Sequence, residues 1–167
     1  MYNPNTIANY FIYKSIDEGL RITPMKVLKL VYIAHGWHLG LIKEPLLTEQ
    51  AEAWKFGPVI ESVYQTFKNY GKQDIDSMNL SYKIVRSEFE NLIKNDNDRA
   101  FLDKVWNVYK KFSGSQLSSL THLPDTPWDI TWNKNKGSLK HGAIIPNALI
   151  KEHYERKAIS TNQNATA

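Results

Sequence analysis

Between Thr23 and Gly40 the chain places apolar residues at Val27, Leu28, Leu30, Val31, Tyr32, Ala34 and Trp37. At 3.6 residues per turn these positions cover most of a helix circumference rather than one stripe. A helix of that kind has little surface to leave in water, so it needs neighbours on several sides. The spacing therefore predicts a fold built round one central helix. Thr23 is placed to accept from the free amides of the first turn, and Pro24 at the first helical position gives up a donor that had no partner. Gly40 marks the expected end.

The rest of the chain supplies shorter helices to surround it. Ile7, Phe11, Ile12 and Ile16 line one face of a helix over residues 5–18, capped by Asn3 or Asn5 and closed at Gly19. Val59, Val63, Phe67 and Tyr70 form a stripe ending at Gly71, with Pro58 expected as the first helical residue. Phe101, Leu102, Val105, Trp106, Tyr109 and Phe112 define a strong helix after the Asn95–Asp98 cluster, and Ser113-Gly114-Ser115 recaps a short helix over 116–121. Pro146 opens a last helix through Tyr154. Thr48–Trp54 reads as either a helical turn or a short strand, and the alternation of Leu80, Tyr82 and Ile84 suggests a second strand. Ser87 and Glu90 have capping-box spacing. The expected fold class is mostly α: a single compact domain of six or seven short helices, with long ordered loops over 72–86 and 121–145 and room for a minor β-hairpin. The domain is assigned to residues 1–158, with 159–167 as a flexible tail.

Composition narrows the chemistry. The chain has 167 residues, no cysteine, and 21 basic against 17 acidic side chains for a formal net charge of +4. The missing thiol excludes disulfides, a cysteine nucleophile and cysteine-ligated metals. No apolar run reaches the roughly 20 residues that cross a bilayer, and the first residues lack the pattern of a signal peptide. A cytoplasmic protein without a membrane partner is the expectation. The basic residues are dispersed; Lys110-Lys111 and the trio Lys134, Lys136 and Lys140 are the densest groups, and this distribution argues against nucleic acid as the partner.

Catalytic patterns are sparse. The sequence contains no glycine-rich phosphate cradle and no Gly-x-Ser-x-Gly elbow. Ser138 lies among lysines with no base at a defined spacing. His35 and His38, three apart on the central helix, have the spacing for two metal ligands but read as one core-edge and one surface histidine. Glu49 and Glu52 read as first-turn charges of a helix. His122, with Thr121 beside it, has the setting of either a general base or a residue pinning a loop. No enzyme activity, metal or cofactor is expected.

Three segments in order, followed by a closing isoleucine-containing helix, carry a resemblance. They are Ile22-Thr23-Pro24-Met25-Lys26-Val27-Leu28-Lys29-Leu30-Val31-Tyr32, then Ala53-Trp54-Lys55-Phe56-Gly57-Pro58-Val59, then Leu117 through Thr121-His122 to Pro127-Trp128. Together they resemble the Panacea domain, the SocA-like antitoxin family, over about residues 5–156. The chain departs from the usual pattern at Val27 and at Leu123-Pro124-Asp125. The resemblance implies an antitoxin, often carried on prophages, that neutralises a cognate toxin encoded by a neighbouring gene through direct protein contact. Delivery of the toxin to a cellular protease is the alternative mode, and a small nucleic-acid-binding regulator is the alternative class. Self-association is a further option.

The motif residues under that resemblance are Lys26, Lys29, Leu30, Tyr32, Trp54, Gly57, Pro58, Thr121, His122, Pro127 and Trp128. Trp54, Gly57 and Pro58 read as fold-makers. Trp37, Trp54 and Trp106 read as core. Trp128 and Trp132, in a proline- and asparagine-rich stretch, are the candidate partner contacts.

Overall fold

The fold was read from a computed structural model, which describes residues 1–75 and 93–165, side chains after 160 excepted. The strand expected around Leu80–Ile84 and the Ser87–Glu90 capping box lie outside the described residues. The described chain is mostly helical: α1 Pro4–Asp17, α2 Pro24–Ile42, α3 Glu61–Phe67, α4 Asp96–Tyr109, α5 Gly114–Thr121, the single turn α6 Pro127–Asp129 and α7 Asn147–Ala165. A small antiparallel sheet has the order β2-β1-β3, with β1 Ala51–Trp54, β2 Gly57–Val59 and β3 Ala143–Ile145. Among the described residues no helix is long and apolar enough to cross a membrane.

α2 is the axis. Its 19 residues rise about 28 Å. It packs against α1, α3, α4, α5, α7 and β2, which is why its apolar positions surround it. The Thr23 side chain accepts from the Lys26 amide, as Pro24 takes the first helical place. The helix does not stop at Gly40. It runs on to Ile42 and ends in a left-handed Lys43 (φ 71°), two residues before Pro45. Gly36 and Gly40 serve packing instead. A Cβ at Gly36 would stand 2.1 Å from the Tyr154 ring, and one at Gly40 would stand 2.7 Å from the Tyr154 Cβ and 2.9 Å from its backbone. Two glycines one turn apart let α7 lie close on α2.

Caps written in the sequence are made. Asn3 accepts from Asn5, Asn95 from Asn97 and Asp98, and Ser113 forms a capping box with Gln116. Trp106 is fully buried and stacks on Phe11 with ring centroids 6.3 Å apart, joining α4 to α1.

The region after α2 differs from the helical reading. Within Thr48–Trp54 the last four residues, Ala51–Trp54, form strand β1, and Glu52 is a strand residue facing Val59 across the ladder. Glu49 does cap a helix, but a distant one: its Oε1 accepts from the Ser62 amide at the start of α3 at 3.0 Å. Pro58 does not start that helix. It pairs with Ala53 in β2, an edge strand where its missing N–H leaves no ladder bond unmade, and α3 begins at Glu61. Residues 121–145 are not an open loop. They hold α6, a π-turn over Ile130–Lys134, a 3₁₀ turn over Gly137–Leu139 and β3.

Candidate functional site

Four segments converge on one corner beside the N-terminal half of α2. α2 supplies Lys29, the β1–β2 turn supplies Phe56 and Gly57, α5 supplies Ser118 and its C-cap His122, and α6 supplies Trp128. Lys29 is 0% exposed. Its Nζ donates to the carbonyls of Phe56 at 2.7 Å and Pro58 at 3.0 Å, the two residues that flank the glycine of the turn. Burial lowers the Lys29 pKa to about 7, because the charged amine has lost its water. The ammonium has three N–H donors and the neutral amine two, so both carbonyls keep a partner in either state.

Gly57 is required here twice. Its φ of +103° is one that side-chain-bearing residues rarely adopt, and a Cβ would lie 2.5 Å from Lys29 Nζ and 2.7 Å from His122 Cε1. His122 Nδ1 lies 2.6 Å from the Ser118 carbonyl. That oxygen only accepts, so Nδ1 carries the proton, and Nε2 is the acceptor of the neutral ring. The imidazole packs on Trp128 with ring centroids 4.1 Å apart. Trp128 Nε1–H donates to the Trp54 carbonyl at 2.8 Å, and Trp54 Nε1–H donates to Glu52 at 2.7 Å. These bonds tie α2, the hairpin, α5 and α6 into one latch.

The latch holds the backbone of the hairpin turn while leaving its side chain outside. The Phe56 carbonyl accepts from Lys29 and from Ser118 Oγ, the latter at 3.3 Å, yet the Phe56 residue is 65% exposed. The arrangement is mechanical in character: it fixes a strained turn and presents a ring.

The other motif residues are structural in their contacts. Lys26 Nζ donates to the Lys110 carbonyl at 2.6 Å and lies 5.6 Å from the Trp106 ring, so it caps the C-terminal end of α4 where a cation suits the helix dipole. Burial lowers its pKa as well. Leu30 is core. Tyr32, Thr121 and Pro127 line a cavity of about 20 Å³ with Tyr154, and burial raises the Tyr32 phenol well above its usual range. Trp128, expected to face a partner, is 7% exposed and wedged under the turn. Trp132 is half-buried and stacks on Trp128 at 6.0 Å, so it is the one of the pair that reaches the surface.

The two histidines of α2 are both buried, which corrects the reading of one of them as a surface residue. His38 Nδ1 bonds the Glu44 carbonyl at 2.6 Å, where the chain folds back after α2, and its Nε2 lies 3.6 Å from Asp98. His35 Nε2 meets Asn147 of α7 at 3.0 Å, and burial lowers its pKa. The rings serve different neighbours, and among the described residues no group of three or more His, Cys, Asp or Glu is arranged to hold a metal. The basic clusters are partly consumed: Lys110 pairs with Glu18 at 2.9 Å and Lys134 with Asp125. Sequence reasoning missed Ser118 and Phe56. An aromatic residue directly before Gly-Pro in a tight turn was the available signal for Phe56.

The corner gathers residues from all three sequence segments, and the family model described as "Antitoxin SocA-like, Panacea domain" matches residues 27–129, which contain Lys29, Gly57, His122 and Trp128. The chain belongs to the SocA-like antitoxin family. It is also similar to Antitoxin SocA of Caulobacter vibrioides (strain NA1000 / CB15N), with 28% identity over 159 residues, covering 93% of this chain and 84% of that protein. No solved structure matches the chain. As a SocA-like chain, it has a mostly helical Panacea domain, and the latch residues lie within the matched stretch. α7 and β3 lie beyond the matched stretch.

Proposed function

We propose that this chain is an antitoxin that neutralises a cognate toxin polypeptide by binding it directly, with no catalytic step of its own. Family membership and the similarity to Antitoxin SocA support the antitoxin role. The observation that carries direct binding is the latch. Lys29 and the Nδ1 of His122 are spent on backbone carbonyls, and the product of their bonding is a rigid scaffold. The reading places both partners in the cytoplasm.

The test is co-expression with the polypeptide encoded next to this chain's gene. Growth should recover while the toxin level stays constant, and the two should co-purify at a fixed ratio. Recovery with a falling toxin level would replace sequestration by delivery to a protease. Absence of both recovery and complex would end the antitoxin reading for that pair.

A further inference from the structure

A second open surface lies toward the C-terminal end of α2, about 12 Å along the helix from Lys29 at 1.5 Å per residue. A groove of about 460 Å³ runs between α2, the outer face of α4 and the C-terminal half of α7. Trp37, Leu41, Phe101, Lys104, Val108 and Tyr109 define it. Leu41 and Val108 are exposed, Val108 at 62%. The walls are already set. Trp37 Nε1–H donates to the Tyr109 hydroxyl at 2.9 Å, the Trp37 ring stands edge-on to Tyr154 at 5.1 Å, and Phe101 stands edge-on to His38 at 5.3 Å. A pre-formed apolar groove binds without first having to order its side chains.

Charge decides what fits it. Lys104 lines the groove and has no ion partner among the described residues. Glu155, the carboxylate on the adjacent turn of α7, is taken by Lys43 at 2.6 Å. Among the described residues the groove therefore offers a cation with no ion partner beside exposed apolar side chains, and it calls for an anion on what covers it. Its α4 wall from Phe101 to Val108 is about 10 Å long, two helical turns. That length accommodates two or three large side chains at i, i+4 and i+7 of a second helix.

We infer that this groove seats an amphipathic helix of the toxin, with its apolar stripe against Leu41, Phe101 and Val108 and a carboxylate against Lys104. The inference rests on the toxin-binding reading above and adds the surface and the partner's chemistry to it.

The experiment uses the full chain and the polypeptide encoded beside its gene, with affinity measured by titration calorimetry. Val108→Glu and Leu41→Glu should each weaken binding by about thirtyfold or more, as loss of a central apolar anchor does. Lys104→Glu should weaken it about fivefold. Leu139→Glu, at an exposed leucine outside the groove, should bind as the parent does. Thermal midpoints within about 2 °C of the parent show that the exposed substitutions leave the fold intact. If the parent binds and Val108→Glu and Leu41→Glu bind equally well, the groove is not the seat, while the antitoxin reading stands. If the parent does not bind, both fall. If Val108→Glu instead dissolves a concentration-dependent dimer in sedimentation and leaves toxin affinity unchanged, the occupant is a second copy and the inference is overturned.

Discussion

Lys29 and Lys104 are both helical lysines set among aromatic rings, and they do opposite things. Lys29 is sealed in, its donors fixed on two carbonyls and its pKa lowered by the lost water. Lys104 is exposed, with no ion partner among the described residues, beside the exposed apolar side chains of Leu41 and Val108. The corner round Lys29 lies inside the stretch that the family model matches. The groove round Lys104 uses none of the residues named for the family pattern, and one of its walls, α7, lies beyond residues 27–129. The contrast separates a scaffold from a contact surface. Polar groups that are satisfied internally make the chain rigid. An unsatisfied cation on an apolar rim is free to act on something else.

The largest expected effect breaks the scaffold side of that contrast. Gly57→Ala should cost about 3 kcal/mol or more in urea unfolding, because the new Cβ meets Lys29 and His122 and the φ of +103° is strained for alanine. Lys29→Met comes next, at about 2 kcal/mol. It takes the lysine donor from the Pro58 carbonyl and leaves the Phe56 carbonyl with only the longer bond from Ser118 Oγ, offset in part by no longer burying an amine.

The same residue gives a pH signature. Lys29 titrates near pH 7 when folded and near the ordinary lysine value of 10.5 when unfolded, so between these the unfolded chain holds more protons. Stability should therefore rise with pH across that window, by at most about 1.4 kcal/mol per pH unit from this residue, and the contribution is level below pH 7. Lys29→Met should flatten the rise without abolishing it, since burial lowers Lys26 too.

A smaller effect sits at the small cavity lined by Tyr32, Thr121 and His153. Burial, with Lys157 and Arg156 nearby, lowers His153 of α7 to about 4 from 6.5. The unfolded chain then binds the extra proton between those values, so the thermal midpoint should fall as pH drops from 6.5 to 4, and His153→Gln should lessen that fall. The smallest effect on stability is at Val108. Val108→Glu should stay within about 0.5 kcal/mol of the parent in urea, although it removes the groove's most exposed anchor. A large loss of stability there would mean that the groove belongs to the core and would erase the contrast.

Much of the scaffold was legible because its causes are local. Thr23-Pro24, Asn95 and Ser113 announce helix starts by hydrogen bonds made within three residues, and the all-round apolar pattern of α2 follows from the number of its neighbours. Reading failed where a distant segment overruled a local signal. Gly40 looked like a stop because glycine often ends helices, but Tyr154 of α7 requires it for packing. Pro58 looked like a start because proline suits a first turn, but the ladder with Ala53 captured it. Glu49 looked like a cap for its own segment, and it caps α3.

The candidate site divides in the same way. Lys29, Gly57, His122 and Trp128 could be picked out of the sequence as motif members, because residue identity is written there. That they form one latch could not be read, since Lys29 and His122 are 93 positions apart and meet only after α2, the hairpin and α5 have packed. The sequence by itself determined the helices, their caps and the family. Only the tertiary structure decided which lysine is dry and which is wet, because burial belongs to whatever covers a residue and not to the residue.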